Sequence, residues 1–217
     1  MLSVIDLLII GAGGFGREIA EYARMSRTPC RVKGFLDDDE SLKGRTIDGT
    51  CVLASTHDYR FEAADRYVVA IADPRVRRGI VERAAARGGE PFILVHPTAY
   101  VSPTAVLGDG VIVGPFAFVG PAAALNRHAC LSAYASLGHD ACAGEHSVLS
   151  PYAAVHGVAR VEPGVFMGSG AAVLPGLRVG AGAKIAAGAI VTADVPAAAL
   201  AVGNPARTWV MFGAWDR

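Results

Sequence analysis

The 217-residue chain contains no apolar run approaching the ~20 residues that cross a membrane. Its start, MLSVIDLLIIGAGG, has no basic leading segment and no cleavage site. Glycine-rich turn chemistry follows directly, so the stretch reads as a first strand rather than a signal peptide. Charge is scarce and balanced: Lys plus Arg number 20 and Asp plus Glu number 20, so no net field favours nucleic acid or an anionic membrane. There are only four cysteines (30, 51, 130 and 142), with no metal-type spacing and no dense disulfide pattern. Together these absences fit a cytoplasmic protein. The apolar share is 52%, and much of it is Ala and Val, as a repeat packed by small side chains requires.

From Val101 to Pro196 the chain repeats every six residues without an insertion: VSPTAV LGDGVI VGPFAF VGPAAA and onward to IAAGAI VTADVP. The first position is aliphatic or Met in every hexad except the one beginning at Ala143, and the fifth is usually Ala. Neither a helix nor an ordinary alternating strand has this period. It specifies a parallel β-helix, in which each hexad is a short strand plus a bend and three hexads close one triangular coil. The first position should fill the prism and the fifth should sit at a crowded corner. Glycine at second positions (108, 114, 120, 138, 144, 168 and 180) is expected to supply freedom at the bends. Cys130 and Cys142, at sixth positions, are expected to be buried free thiols.

Ahead of the repeat, residues 4–10 read as a buried strand. Gly11-Ala12-Gly13-Gly14-Phe15-Gly16 follows, and residues 17–25 read as a helix, an order that points a helix N-terminus at a phosphate or another polar ligand. Residues 31–36 form a second strand ending in Asp37-Asp38-Asp39, the place of a ribose-binding carboxylate in a dinucleotide site. Strands at 67–71 and 92–95 are expected to flank a helix from Asp73-Pro74 to about Arg87. Four strands and two helices make about one mononucleotide-binding half, which argues against a nicotinamide oxidoreductase. The competing reading of the glycines is that they only permit close helix–strand packing. The domains are read as an α/β unit at 1–96 able to hold one nucleotide, the β-helix at 97–196 and a C-terminal cap at 197–217, whose aromatic residues Trp209, Phe212 and Trp215 should close the open end.

Coils of Val, Ala and Gly offer few reactive groups. His139 and Asp140 fall at the third and fourth positions of LGHDAC, on the outer surface near a bend. An imidazole whose tautomer is held by a carboxylate is a reasonable general base. His139 and His156 lie 17 residues apart, close to one coil, and His146 falls on the next face. A three-histidine zinc site of the β-helical carbonic anhydrase kind is therefore an alternative. His128 reads as a surface residue, and His57 and His96 carry no evident chemistry.

The GAGGFG turn, the LDD strand end, the unbroken hexads, the His-Asp pair and the closing Gly203-Asn204-Pro205-Ala206 together resemble the bacterial nucleotide-sugar acyltransferases of the NeuD/PglD type. The resemblance covers essentially the whole chain. It implies a Rossmann-like half domain followed by a left-handed parallel β-helix. The implied reaction moves acetyl from acetyl-CoA to the 4-amino group of a nucleotide-linked 4-amino-4,6-dideoxy sugar for cell-surface glycan synthesis. It also implies a homotrimer with sites shared between subunits, and no metal.

On the resemblance, His139 matches the general base and Asp140 its carboxylate partner. Gly13, Gly14 and Phe15 match the turn that contacts nucleotide or sugar, Asp37 and Asp38 the acidic pair beneath the base, and Ala72 a third-strand substrate contact. Val148, Ser169, Ala187, Asn204 and Pro205 fall on the CoA side. Val148 and Ser132 replace a His and an Asn usual in the family, which implies a more apolar thioester pocket. The readings that compete are sialic acid O-acetylation, the zinc carbonic anhydrase, and a non-enzymatic scaffold.

Overall fold

The computed structural model describes residues 5–210, 213 and 215. Val4 and Phe212, which entered the expected first strand and the aromatic cap, lie outside them. The α/β unit comprises β1 (Ile5–Ile10), α1 (Gly14–Arg24), β2 (Cys30–Leu36), β3 (Thr46–Ile47), β4 (Thr50–Ala54), β5 (Asp65–Val69) and α2 (Pro74–Ala86). Its sheet runs β3-β4-β2-β1-β5, and β1 is parallel to both neighbours. Two strands therefore exceed expectation. Asp48-Gly49 joins β3 to β4 with both residues at positive φ, the geometry of a two-residue hairpin turn. The Asp73 side chain caps α2, accepting from the N–H groups of Arg75 and Val76.

The expected strand at 92–95 does not complete this sheet. Residues 90–92 run beside Tyr67, and Leu94–Val95 then pairs with Ile112–Val113 as the first strand of the solenoid. Every hexad beyond contributes a two-residue strand, and the coils stack into three parallel sheets of a left-handed β-helix. First and fifth positions fill one continuous interior of Val, Leu and Ala. Sixth positions point outward instead. Cys130 is buried only because the α/β unit covers its face, together with Ile112 and Val148, whereas Cys142 stays partly exposed on an uncovered face.

The glycine expectation is corrected in the same way. Left-handed φ falls at the fourth position, at Phe116, Ala122, His128, Tyr134, Asp140, His146, Tyr152 and Val158 and at glycines further on. The fourth-position N–H donates to the third-position carbonyl of the preceding coil, as Asp140 does to Pro121 at 2.9 Å. Second-position glycines answer to stacking: a Cβ on Gly144 would lie 2.4 Å from the backbone of Glu162 and Pro163.

Three corner rows result. One carries Pro121, His139, Gly157 and Pro175. The second carries Phe116, Tyr134 and Tyr152, with Ser169 and Ala187 beyond. The third carries His128 and His146 and abuts α2. Beyond the last coil, Ala199–Val202 pairs with Lys184–Ile185 and turns back through Arg207–Val210. Of the expected aromatic cap, the two described residues, Trp209 and Trp215, do not close the coil end. Trp209 is exposed on the outer strand, while Trp215 lies along the third corner row over Gly164, with the Arg78 guanidinium 5.0 Å from its ring.

Candidate active site

His139 stands on its corner with Nδ1 2.9 Å from Asp140 Oδ2. Asp140 occupies the left-handed corner position, which short polar residues tolerate, so the turn itself brings its carboxylate beside the imidazole. With Nδ1–H donating to the carboxylate, Nε2 keeps its lone pair for chemistry. The ring lies over Gly157, one coil further on, where a Cβ would come within 2.4 Å of Nε2. Phe118, Pro121, Ser136, His156 and Pro175 help to line the cleft of about 430 Å³ around it.

The sheet carrying Ser136, Ala154 and Ala172 on its outer face spans from this corner to the second one. Ser169 and Ala187 are exposed on that second corner in successive coils, with the Ser169 carbonyl accepting from Gly188 N–H. Asn204 and Pro205 form the exposed turn whose flanks, Gly203 and Ala206, bond to Ile190 at the end of the same sheet. These four residues thus rim one small-residue face. Val148 does not join them. Only 2% exposed, it faces the α/β unit and packs with Cys130 and Ile112 in the shared core, because its strand belongs to the covered sheet.

A second cleft, about 160 Å³, opens at the C-terminal ends of β1, β2 and β5, where open α/β sheets bind ligands. Asp37 and Asp38 line it beside Gly11, Thr56, Ile71, Val76 and Ile80. Asp37 holds the glycine turn, with Oδ2 accepting from Ala12 N–H at 2.7 Å. Asp38 Oδ1 accepts from the Thr56 N–H and hydroxyl, and its Oδ2 accepts from Arg83 at 3.2 Å. Burial pushes the Asp38 carboxyl up, but the Thr56 bonds and the Arg83 charge outweigh it and hold the group below its usual range.

The packing role considered for the glycines applies to two of them. Gly11 adopts φ +106°, and a Cβ on Gly16 would strike the Gly11 carbonyl at 1.9 Å. Gly13 and Gly14 have open space where a Cβ would be, and both are exposed, which leaves their backbone free for a ligand. Phe15 is half-buried against the core, and Ala72 is exposed between β5 and the α2 cap.

Residues 6–84 match the model of the PglD N-terminal domain family. Across nearly the whole chain the fold matches the acetyltransferase domain of PglB from Neisseria gonorrhoeae FA1090, solved with acetyl coenzyme A. The identity is 31% and the TM-score 0.87, covering 95% of this chain and 100% of that one. The chain belongs to the NeuD/PglD-type sugar acetyltransferase family. PerB from Caulobacter crescentus, solved with CoA and GDP-perosamine, is similar at 30% identity and TM-score 0.87, covering 96% of this chain and 99% of that one. A UDP-N-acetylbacillosamine N-acetyltransferase of Bacillus subtilis is 30% identical over 113 residues, 49% of this chain. That match spans about half the length of the curated relative.

The zinc alternative does not assemble in this family member. His146 sits on the third corner, away from His139, and among the described residues no three His, Cys, Asp or Glu side chains converge. His128 is not a surface residue: its ring stacks between Tyr67 and His146 at centroid distances of 6.1 and 5.4 Å, beneath the α/β unit. Burial, with Arg77 and Arg127 nearby, holds His128 down at about 3 and His146 at about 4. Thr56, Arg83 and Gly157 escaped the sequence reading. The coil period of three hexads could have found Gly157, which follows His139 by that spacing in the chain.

Proposed function

We propose that the chain transfers acetyl from acetyl-CoA to the 4-amino group of a nucleotide-linked 4-amino-4,6-dideoxy sugar, a step in cytoplasmic synthesis of surface glycans. The observation that carries this reading is the exposed His139–Asp140 pair beside a small-residue face on a β-helix that also bears an α/β cleft at the C-terminal strand ends, lined by Asp37 and Asp38. The relatives solved with acetyl coenzyme A and with GDP-perosamine supply the two substrate classes.

In the proposed reaction, the sugar nitrogen attacks the thioester carbonyl, and a proton passes from that nitrogen to His139 Nε2 as the N–C bond forms. Asp140 keeps the tautomer and steadies the imidazolium. Backbone N–H groups of the coil corners would stabilise the tetrahedral oxyanion. Collapse breaks the C–S bond, and the imidazolium returns the proton to the departing thiolate. Atoms and charge balance without an acyl-enzyme. Cys142 lies on a different face and lends no support to a covalent route.

In this reading residues 1–96 hold the nucleotide through Gly13, Gly14, Phe15, Asp37, Asp38 and Ala72. Residues 97–196 hold the pantetheine along Ser169 and Ala187, with Asn204 and Pro205 near the adenine end. A homotrimer fits the second corner row. Phe116, Tyr134 and Tyr152 stack there at 5.0 and 4.9 Å, and each is about half exposed, an apolar strip that a neighbouring prism would cover.

The test is thiol release from acetyl-CoA against UDP-, GDP- and dTDP-linked 4-amino sugars, with sialic acid as the hydroxyl acceptor. Turnover on an amino sugar is expected. Turnover on sialic acid alone would replace the acceptor, and silence across the panel with every acyl-CoA length would remove the transferase reading.

A further inference from the structure

Arg77, on the first turns of α2, is wholly buried, and no carboxylate is among its hydrogen-bond partners. Its Nε donates to the His128 carbonyl in the solenoid at 2.6 Å. Its NH1 group donates to the carbonyls of Val69 at 2.5 Å and Ile71 at 3.1 Å, at the end of β5. Its NH2 group has no hydrogen-bond partner among the described residues. A buried cation satisfied only by carbonyls is a costly way to hold two units together, since apolar side chains of similar volume would pack there without desolvation. What the planar guanidinium adds is direction, through donors at fixed angles.

The carbonyls it grips flank a sensitive point. Ala70 lies between them. Its N–H donates to Ile10 at 2.7 Å, and its carbonyl would lie 2.9 Å from a Cβ on Gly11, the first glycine of the turn. Ile71 lines the α/β cleft, and Ala72 follows. A shift of residues 69–71 therefore moves the cleft wall and the glycine turn together, while the small-residue face beyond His139 lies on another side of the prism.

We infer that Arg77 is a positioning residue that locks the nucleotide-cleft segment 69–72 to the solenoid coil at His128 and so sets the placement of the nucleotide sugar. The inference rests on the proposed function for its kinetic arm. Its structural arm, amide hydrogen exchange of the peptide spanning residues 66–73, does not.

The experiment compares the wild-type full chain with Arg77→Lys and Arg77→Met. Circular dichroism first establishes that each is folded. Exchange in residues 69–72 is expected to quicken at least about tenfold in Arg77→Met, while the coils around residues 150–190 remain as in wild type. KM for the amino sugar is expected to rise at least about tenfold and KM for acetyl-CoA to change less than about twofold. Lys should restore part of both effects, because one ammonium cannot match the fixed fork.

Unchanged exchange at 69–72, or exchange and both KM values shifting together throughout the protein, would overturn the inference. If Arg77→Met does not fold, Arg77→Lys carries the same two readouts. If the wild-type protein turns over no amino sugar, the proposed function fails while the exchange result still decides the role of Arg77.

Discussion

Gly157→Ala isolates the geometry of the candidate base from its chemistry. The new Cβ would start 2.4 Å from His139 Nε2 and 2.6 Å from Cε1, against an ordinary contact of about 3.5–4 Å. The imidazole must then move by about 1 Å or more. It is the end of an exposed side chain, so it can swing aside at little cost to folding. The backbone at Gly157 is outside the left-handed region, and alanine adds no strain there. The fold should persist while the 2.9 Å contact to Asp140 and the aim of Nε2 are lost. A misplacement of about 1 Å costs about 10²-fold in rate, and loss of a general base about 10²- to 10⁴-fold. The expected result is a fall in kcat of about 10²-fold by thiol release, with the melting temperature within about 2 °C of wild type and acetyl-CoA still bound. In a His139→Ala background the same substitution should have almost no further effect on rate. A kcat within about threefold of wild type, or full additivity of the two losses, would refute the reasoning.

Gly144→Ala places a Cβ 2.4 Å from the next coil's backbone, which cannot swing aside, so overpacking should cost at least about 1–3 kcal/mol in chemical denaturation. His128 and His146 are held near 3 and 4 in the folded chain against an ordinary 6.5. The unfolded chain therefore binds more protons between those values. Stability is fully present above pH 6.5 and falls as pH drops through 6.5 toward 4, by up to about 1.4 kcal/mol per pH unit for each histidine. Denaturation at pH 7 and pH 5 reads this slope, and a His128→Gln, His146→Gln variant should flatten it. Asp38→Asn weakens the carboxylate that accepts from Thr56 and Arg83, and it should raise KM for the nucleotide sugar about tenfold and leave acetyl-CoA unaffected. Equal shifts in both KM values would speak against the α/β cleft as the nucleotide site.

Much of the architecture was legible because a six-residue period is a direct image of coil geometry. Periodicity shows which positions face inward, and Val, Leu and Ala occupy them. It does not show which feature of a bend a glycine serves. Positive φ was borne by Asp140, Tyr134 and other residues at fourth positions, while second-position glycines yielded to contact between coils, a long-range constraint invisible in a single hexad. The β3–β4 hairpin was readable from Asp48-Gly49 but short enough to be passed over. His128 and Val148 read as surface and cofactor positions because nothing local shows that the α/β unit folds back over their faces. At the candidate active site the adjacency of His139 and Asp140 was visible, and the left-handed corner that turns adjacency into a hydrogen bond was not. Thr56 and Arg83 reach Asp38 from 18 and 45 residues away, a tertiary contact with no local signature.

The measurement that bears most directly on acetyl transfer through His139 is kcat of His139→Ala relative to wild type, at saturating acetyl-CoA and the amino sugar found by the acceptor panel. Acetyl-CoA affinity is measured in parallel by calorimetry. The account predicts a loss of at least about 100-fold in kcat with the affinity unchanged within about twofold. A kcat within about threefold of wild type would contradict it and remove His139 from the reaction.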